Sequence, residues 1–132
     1  MCIRDSHDTE RAVTILGGEP LNGRDRNWQH NTRLSPAQWE TGLRRLRLAA
    51  LMQYTLPGVP CIYYGDEAGM EGYRDPFNRA CYPWGHENSS LLGWYRQLGE
   101  LRASLPMLAH GAFSAVFAQN SVIAYTLSLI HI

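Results

Sequence analysis

Three short stretches of this chain carry residue types that can do chemistry. Near the N-terminus stands His7-Asp8. A second pair, Asp66-Glu67, ends the apolar run Val59-Pro60-Cys61-Ile62-Tyr63-Tyr64-Gly65. The third stretch is Asp75-Pro76-Phe77-Asn78-Arg79, with a carboxylate and a guanidinium four residues apart. Each has more than one reading. A His-Asp dipeptide ligates divalent metal in some phosphohydrolases, forms a surface or capping pair elsewhere, and can also hold a substrate's polar groups. The metal reading needs further His or Asp ligands on helices, and His30, His86 and His110 fall in loops or at element ends. A planar, multi-donor guanidinium suits hydroxyl groups or a neighbouring carboxylate. Asp75 and Arg79 can therefore contact a ligand, shape their own loop as an ion pair, or do both. Asp66 and Glu67 can bond loop backbone as readily as they can touch a ligand.

The elements that must position these groups are readable from the pattern. Leu56-Pro57-Gly58 stops a helix, and the run Val59 to Tyr64 reads as a buried strand that delivers charge to a loop at its C-terminal end. In a β/α barrel that edge carries the active site. Upstream, Ser35 can cap a helix, Pro36 suits its first position, and Gln38 completes a capping box. Trp39, Leu43, Leu46, Ala50 and Tyr54 form its apolar stripe. Arg44, Arg45 and Arg47 sit toward its C-terminal half and read as solvated groups complementing the helix dipole. Thr9 to Leu34 is polar, rich in Gly, Asn, Asp and Arg, and reads as a long functional loop. A second loop, Asp66 to Glu87, carries Met70, Tyr73, Phe77, Tyr82 and Trp84; most of these aromatics are expected to anchor the loop rather than stack on a ligand. Asn88-Ser89-Ser90 offers caps for a helix with Leu92, Tyr95, Leu98, Leu101 and Leu105 on one side, stopped by Pro106. Phe113, Ala115 and Phe117 then alternate, Gln119-Asn120 turns, and Val122 to Thr126 reads as a second strand.

Leu56 to Glu67 resembles the eighth strand of the α-amylase family of glycoside hydrolases (family 13), where Gly-x-Pro-x-Ile-Tyr-Tyr-Gly-x-Glu recurs. Ser6-His7-Asp8 resembles the signature at the end of that family's seventh strand. Asp75-Pro76-Phe77-Asn78-Arg79 resembles the Asp-Pro-x-x-Arg segment of the neopullulanase, cyclomaltodextrinase and maltogenic amylase branch, although Ala80 to Pro83 departs from it. The resemblance implies an α/β fold: the C-terminal part of a TIM (β/α)8 barrel, from the end of strand 7 through helix 8, over residues 7–110. The start of an all-β C-terminal domain follows over 111–126. It also implies a retaining hydrolase of α-glucans, maltooligosaccharides or cyclodextrins. Retaining glycosidases use a carboxylate nucleophile and a carboxylic acid about 5 Å apart, and hydrogen bonds to ring hydroxyls strengthen at the oxocarbenium-like transition state. By resemblance Asp8 is the transition-state-stabilising carboxylate and His7 binds the same sugar. Asp75 and Arg79 contact the sugar on the non-reducing side of the cleaved bond. The family's nucleophile and acid lie on strands 4 and 5, which would precede this sequence. The alternative is a catalytically inactive relative that serves as a carbohydrate-binding or transport-associated subunit.

The termini read as foreign. Met1 to Ser6 and Leu127 to Ile132 can be encoded by strings that are nearly reverse complements of each other and resemble a transposase end used in sequencing libraries. Residues 1–6 and 127–132 are therefore expected to be adapter-derived and are set aside from fold reasoning. The chain has 132 residues and a formal net charge of zero, with twelve basic residues, all arginine. A complete β/α barrel takes roughly 250 residues, so only part of one fits. No basic patch argues for nucleic acid, and no apolar run is long enough to span a membrane. Cys61 is expected to be a buried structural thiol, and Cys61 with Cys81 makes neither a metal pattern nor a disulfide framework. No cofactor or resident metal is implied; calcium, oligomeric state and linkage preference stay open. A cytoplasmic location is expected ahead of secretion.

Overall fold

The computed structural model describes residues 9–128, so His7 and Asp8 lie outside the described residues. The elements run α1 (Ala12–Gly17), α2 (Arg26–Asn31), α3 (Pro36–Thr55), α4 (Ser89–Ser104), α5 (Met107–His110), β1 (Ala112–Gln119) and β2 (Val122–Ser128).

The capping box that starts α3 forms as its residues dictate. The Ser35 hydroxyl accepts from the Gln38 amide at 3.3 Å, and the Gln38 side chain accepts from the Ser35 amide at 2.9 Å. Leu43, Leu46, Ala50 and Tyr54 are buried and Trp39 is partly so, which makes the expected stripe the core face. Asn88 caps α4 by accepting from the Leu91 amide at 2.8 Å. The buried face of α4 is Leu91, Tyr95 and Leu98. Leu91 takes the place expected of Leu92, because i, i+4, i+7 from Leu91 gives the straighter stripe. The helices meet through Tyr54 and Tyr95, whose ring centroids are 6.2 Å apart at an edge-on angle. Arg102 of α4 donates to the Tyr54 and Leu56 carbonyls at 2.5 and 3.4 Å. It thus satisfies carbonyls that the C-terminus of α3 leaves unpaired and complements the dipole there.

Several expectations change. Thr9 to Leu34 is not a plain loop but holds α1 and α2. At six residues each, neither is long enough to be stable alone, so the local pattern is weak. What holds α1 is its packing on α3. Gly17 and Gly42 face each other so closely that a Cβ on Gly17 would lie 2.8 Å from the Gly42 Cα, and one on Gly42 would lie 2.6 Å from the Val13 carbonyl oxygen. Arg45 and Arg47 do more than complement a dipole: Arg45 donates to the Leu16 carbonyl at 2.6 Å and Arg47 to the Ser90 hydroxyl at 2.9 Å. They tie α3 to α1 and to the start of α4.

The run 59–64 forms no strand. A central strand needs a hydrogen-bonded neighbour, and none is present among the described residues: the only sheet there is the antiparallel β1–β2 pair. For the same reason the run is not buried; Val59 is 82% exposed, and Cys61 is exposed rather than the buried thiol expected. The hairpin forms, with its turn one residue later than the Gln119-Asn120 expected, because Gln119 still pairs in β1. Asn120 and Ser121 both take positive φ, at 50° and 64°, and Gln119 pairs with Val122. That is the two-residue turn whose twist suits a hairpin.

Candidate functional site

Residues 9–11, which directly follow His7-Asp8, are held by the loop between residues 65 and 88. Arg11 is the centre of the arrangement. It precedes α1, is 1% exposed, and has its guanidinium stacked over the Tyr63 and Tyr64 rings at 4.3 and 4.4 Å from their centroids. Its Nε donates to the Asn78 carbonyl at 2.7 Å, its Nη1 donates to the Tyr64 carbonyl, and its own amide donates to the Gly72 carbonyl at 2.8 Å. Asn78 is fully buried and returns the contact: its Nδ2 donates to the Thr9 carbonyl at 2.7 Å. The Thr14 hydroxyl accepts from the Gly72 amide at 2.9 Å. A buried arginine is costly unless paired and hydrogen-bonded, and here backbone carbonyls, two aromatic faces and Asp66 share that task.

Asp66 lies 3.7 Å from the Arg11 guanidinium and is largely buried. Burial pushes its carboxyl up from the ordinary value of 3.8 to about 6, and the nearby Arg11 charge and Ala12 amide only partly oppose this. Since the folded value exceeds the unfolded one, the native state holds the proton more tightly between the two. Stability therefore falls as pH rises through that window, by at most about 3 kcal/mol. In a full-length protein carrying this segment, thermal midpoints of wild type and Asp66→Asn compared from pH 4 to 7 should diverge, with the variant gaining relative to wild type as pH rises. Parallel curves would show that Asp66 is not strained when charged.

Glu67 takes the backbone role open to it: its Oε2 accepts from the Gly65 amide at 2.9 Å. Asp75 and Arg79 form an ion pair, Nε to Oδ1 at 2.8 Å, with both side chains more than 40% exposed. The loop-shaping contact and accessibility to a ligand therefore coexist. Of the loop aromatics, Tyr73 is buried and meets Trp28 edge-on at 4.8 Å, as an anchor should. Trp84, by contrast, is 80% exposed, resting near Tyr82 at 4.5 Å between centroids.

A cavity of about 160 Å³ opens between α1, α3 and the 61–66 segment, lined mainly by Ile15, Leu46, Ala50, Ile62 and Tyr63, with Arg11 and Asp66 at its side. A cleft of about 590 Å³ lies at the start of α4, with Trp39, Met70, Glu71, His86 and Glu87 among its lining residues. Neither includes Asp75 or Arg79. Among the described residues no three His, Cys, Asp or Glu converge as a metal site, and no helix is long and apolar enough to cross a membrane.

The sequence pointed to Asp75 and Arg79 but not to Arg11 or Asn78. Arg11 has one faint signal: with Glu10 it directly precedes the mostly apolar run Ala12 to Leu16. Asn78 lies inside a quoted motif with nothing to mark it as buried.

Comparison with known proteins gives consistent matches. Residues 2–96 match a family model described as alpha amylase, catalytic domain. The chain is 37% identical over 125 residues to an amylopullulanase of Thermoanaerobacter thermohydrosulfuricus, covering 95% of this chain and 8% of that protein. It is 34% identical over 122 residues to a cyclomaltodextrinase of Thermoanaerobacter pseudethanolicus, covering 91% and 17%. Among solved structures it is similar to the debranching enzyme from Nostoc punctiforme, with a TM-score of 0.71 and 30% identity over 95% of this chain and 21% of that one. The chain thus spans less than a fifth of these two curated relatives.

Proposed function

The chain belongs to the α-amylase family, and on that premise we propose that it is the closing part of a (β/α)8 barrel in a retaining hydrolase of α-glucans. Residues 7–110 form the end of strand 7 through helix 8 in this reading, and β1 and β2 open an all-β domain. Asp8 stabilises the oxocarbenium-like transition state, and His7 donates to hydroxyls of the same sugar. Asp75 and Arg79 hold the neighbouring sugar on the non-reducing side. The nucleophile and the general acid come from earlier strands. No cofactor is required for this chemistry, since two carboxylates suffice to form and hydrolyse a glycosyl-enzyme.

The observation that carries the reading is the fastening of residues 9–11 to the loop bearing Asp75 and Arg79. Asn78, next to Arg79, bonds Thr9, next to Asp8, so two segments assigned to adjacent sugars are joined within one residue of each assigned side chain.

The test is the full-length enzyme on maltohexaose, with the first-formed product followed by proton NMR. Cleavage that releases the α anomer first is expected. Release of the β anomer would overturn retention, and absence of cleavage would favour the inactive, carbohydrate-binding alternative. This chain by itself is expected to release no reducing sugar, because one stabilising carboxylate cannot replace a nucleophile and an acid.

A further inference from the structure

We propose that Tyr64 is a positioning residue for Arg79. Its hydroxyl, and the Arg11 guanidinium packed on its ring, hold the backbone carbonyls of the residues before and after Arg79, and so set where that side chain can meet a sugar. This rests on the reading that Arg79 holds the sugar on the non-reducing side, and on no other assigned role.

The chain around Arg79 is gripped from outside its own loop. The Asn78 carbonyl accepts from Arg11 Nε at 2.7 Å, and the Ala80 carbonyl accepts from the Tyr64 hydroxyl at 3.0 Å. The two donors act as one unit. The Arg11 guanidinium lies 4.4 Å from the centroid of the Tyr64 ring, and its Nη1 donates to the Tyr64 carbonyl. The peptide that enters Arg79 is held at both of its polar groups, since its carbonyl meets Arg11 and its amide donates to the Pro76 carbonyl at 3.1 Å. The Tyr64 bond catches the chain again at Ala80. Only the soft dihedrals of residues 79 and 80 lie between these anchors, so the backbone at Arg79 has little room to swing. Asp75 then holds the side chain itself, Nε to Oδ1 at 2.8 Å.

The task suits a tyrosine. An aromatic face takes the guanidinium, and a phenolic hydroxyl at the far edge of the same ring supplies a donor. Phenylalanine keeps the face and loses only the donor. Arg11 is 1% exposed, whereas Tyr64 is 42% exposed. The Tyr64–Ala80 bond is therefore open to competition from water. Its removal leaves the buried contacts of Arg11 in place, so Tyr64→Phe probes the outer anchor without dismantling the inner one.

The experiment uses the full-length enzyme as wild type, Tyr64→Phe, Arg79→Ala and the double variant. Specificity constants are measured on maltohexaose and on an aryl α-glucoside, whose single sugar fills only the reacting subsite. Thermal midpoints are recorded alongside, so that lost folded protein is not mistaken for slow protein. Tyr64→Phe is expected to lower kcat/KM on maltohexaose roughly three- to tenfold, the equivalent of one neutral hydrogen bond. On the aryl glucoside it should stay within about twofold of wild type. In the Arg79→Ala background the same substitution should change neither, because Tyr64 acts through Arg79. If Arg79→Ala shows a long-substrate-selective loss and Tyr64→Phe does not, the inference fails alone. Equal losses from Tyr64→Phe on both substrates would make Tyr64 a residue of the fold only. An undiminished loss in the Arg79→Ala background would mean that Tyr64 does not act through Arg79, and would also overturn the inference. If Arg79→Ala itself shows no long-substrate-selective loss, the sugar-holding role of Arg79 fails and the inference falls with it.

Discussion

Asp8→Asn in the full-length enzyme is expected to lower turnover by about three orders of magnitude or more, with a much smaller change in substrate affinity. The substitution keeps the size of the side chain and most of its hydrogen-bonding capacity but removes the negative charge. In the ground state the sugar is neutral, and an amide can hold its hydroxyls nearly as well as a carboxylate. As the glycosidic bond breaks, positive charge builds on the ring, and bonds to its hydroxyls from a charged acceptor strengthen. Only interactions that grow in the transition state raise kcat, so the deficit appears there. Removing a single pre-organised stabilising group elsewhere costs on the order of 10²- to 10³-fold, and the ionic character of this one places it at the upper end. The measurement is kcat and KM on maltohexaose, with site occupancy checked by titration. Near-normal turnover would make His7-Asp8 a structural pair.

How much of this was legible in the sequence depends on how locally each feature is encoded. The α3 start is written in three residues, Ser35, Pro36 and Gln38, whose interactions lie within one turn, and the structure contains them as read. The β1–β2 turn is also local, and Asn120 marked it, but its second residue is Ser121 rather than Gln119, a one-residue shift that strand pairing decides. The 59–64 run was a non-local inference. Its strand character depends on neighbours, and among the described residues there is no ladder for it to join. α1 failed for the opposite reason: six residues carry too little pattern, and what stabilises them is a glycine contact twenty-five positions away between Gly17 and Gly42. In the candidate site, Asp75 and Arg79 were visible because their motif is contiguous. Arg11 and Asn78 were not, since their partners are 67 and 69 residues distant in sequence, and no single-sequence pattern links positions so far apart.

Arg79→Ala separates the neighbouring sugar from the chemistry. Arg79 and Asp75 are half exposed and paired at 2.8 Å, on the loop between residues 65 and 88, so the guanidinium is anchored by its carboxylate while its donors belong to a side chain accessible from solvent. If those donors hold a sugar on the non-reducing side, the variant should lose specificity constant on long maltooligosaccharides by roughly 10- to 100-fold, the equivalent of a charge-assisted hydrogen bond of about 1.5–3 kcal/mol. A substrate confined to the reacting subsite never made the contact and should lose far less. Part of the loss with long substrates should fall on kcat, because binding energy from a remote sugar can help distort the reacting ring. The decisive quantity is the ratio of long- to short-substrate kcat/KM in wild type and variant. A fall in that ratio supports a sugar-holding role. Equal losses on both substrates would instead mean that the ion pair only shapes the loop, and that removing it disturbs Asn78 and, through Thr9, the segment that follows Asp8.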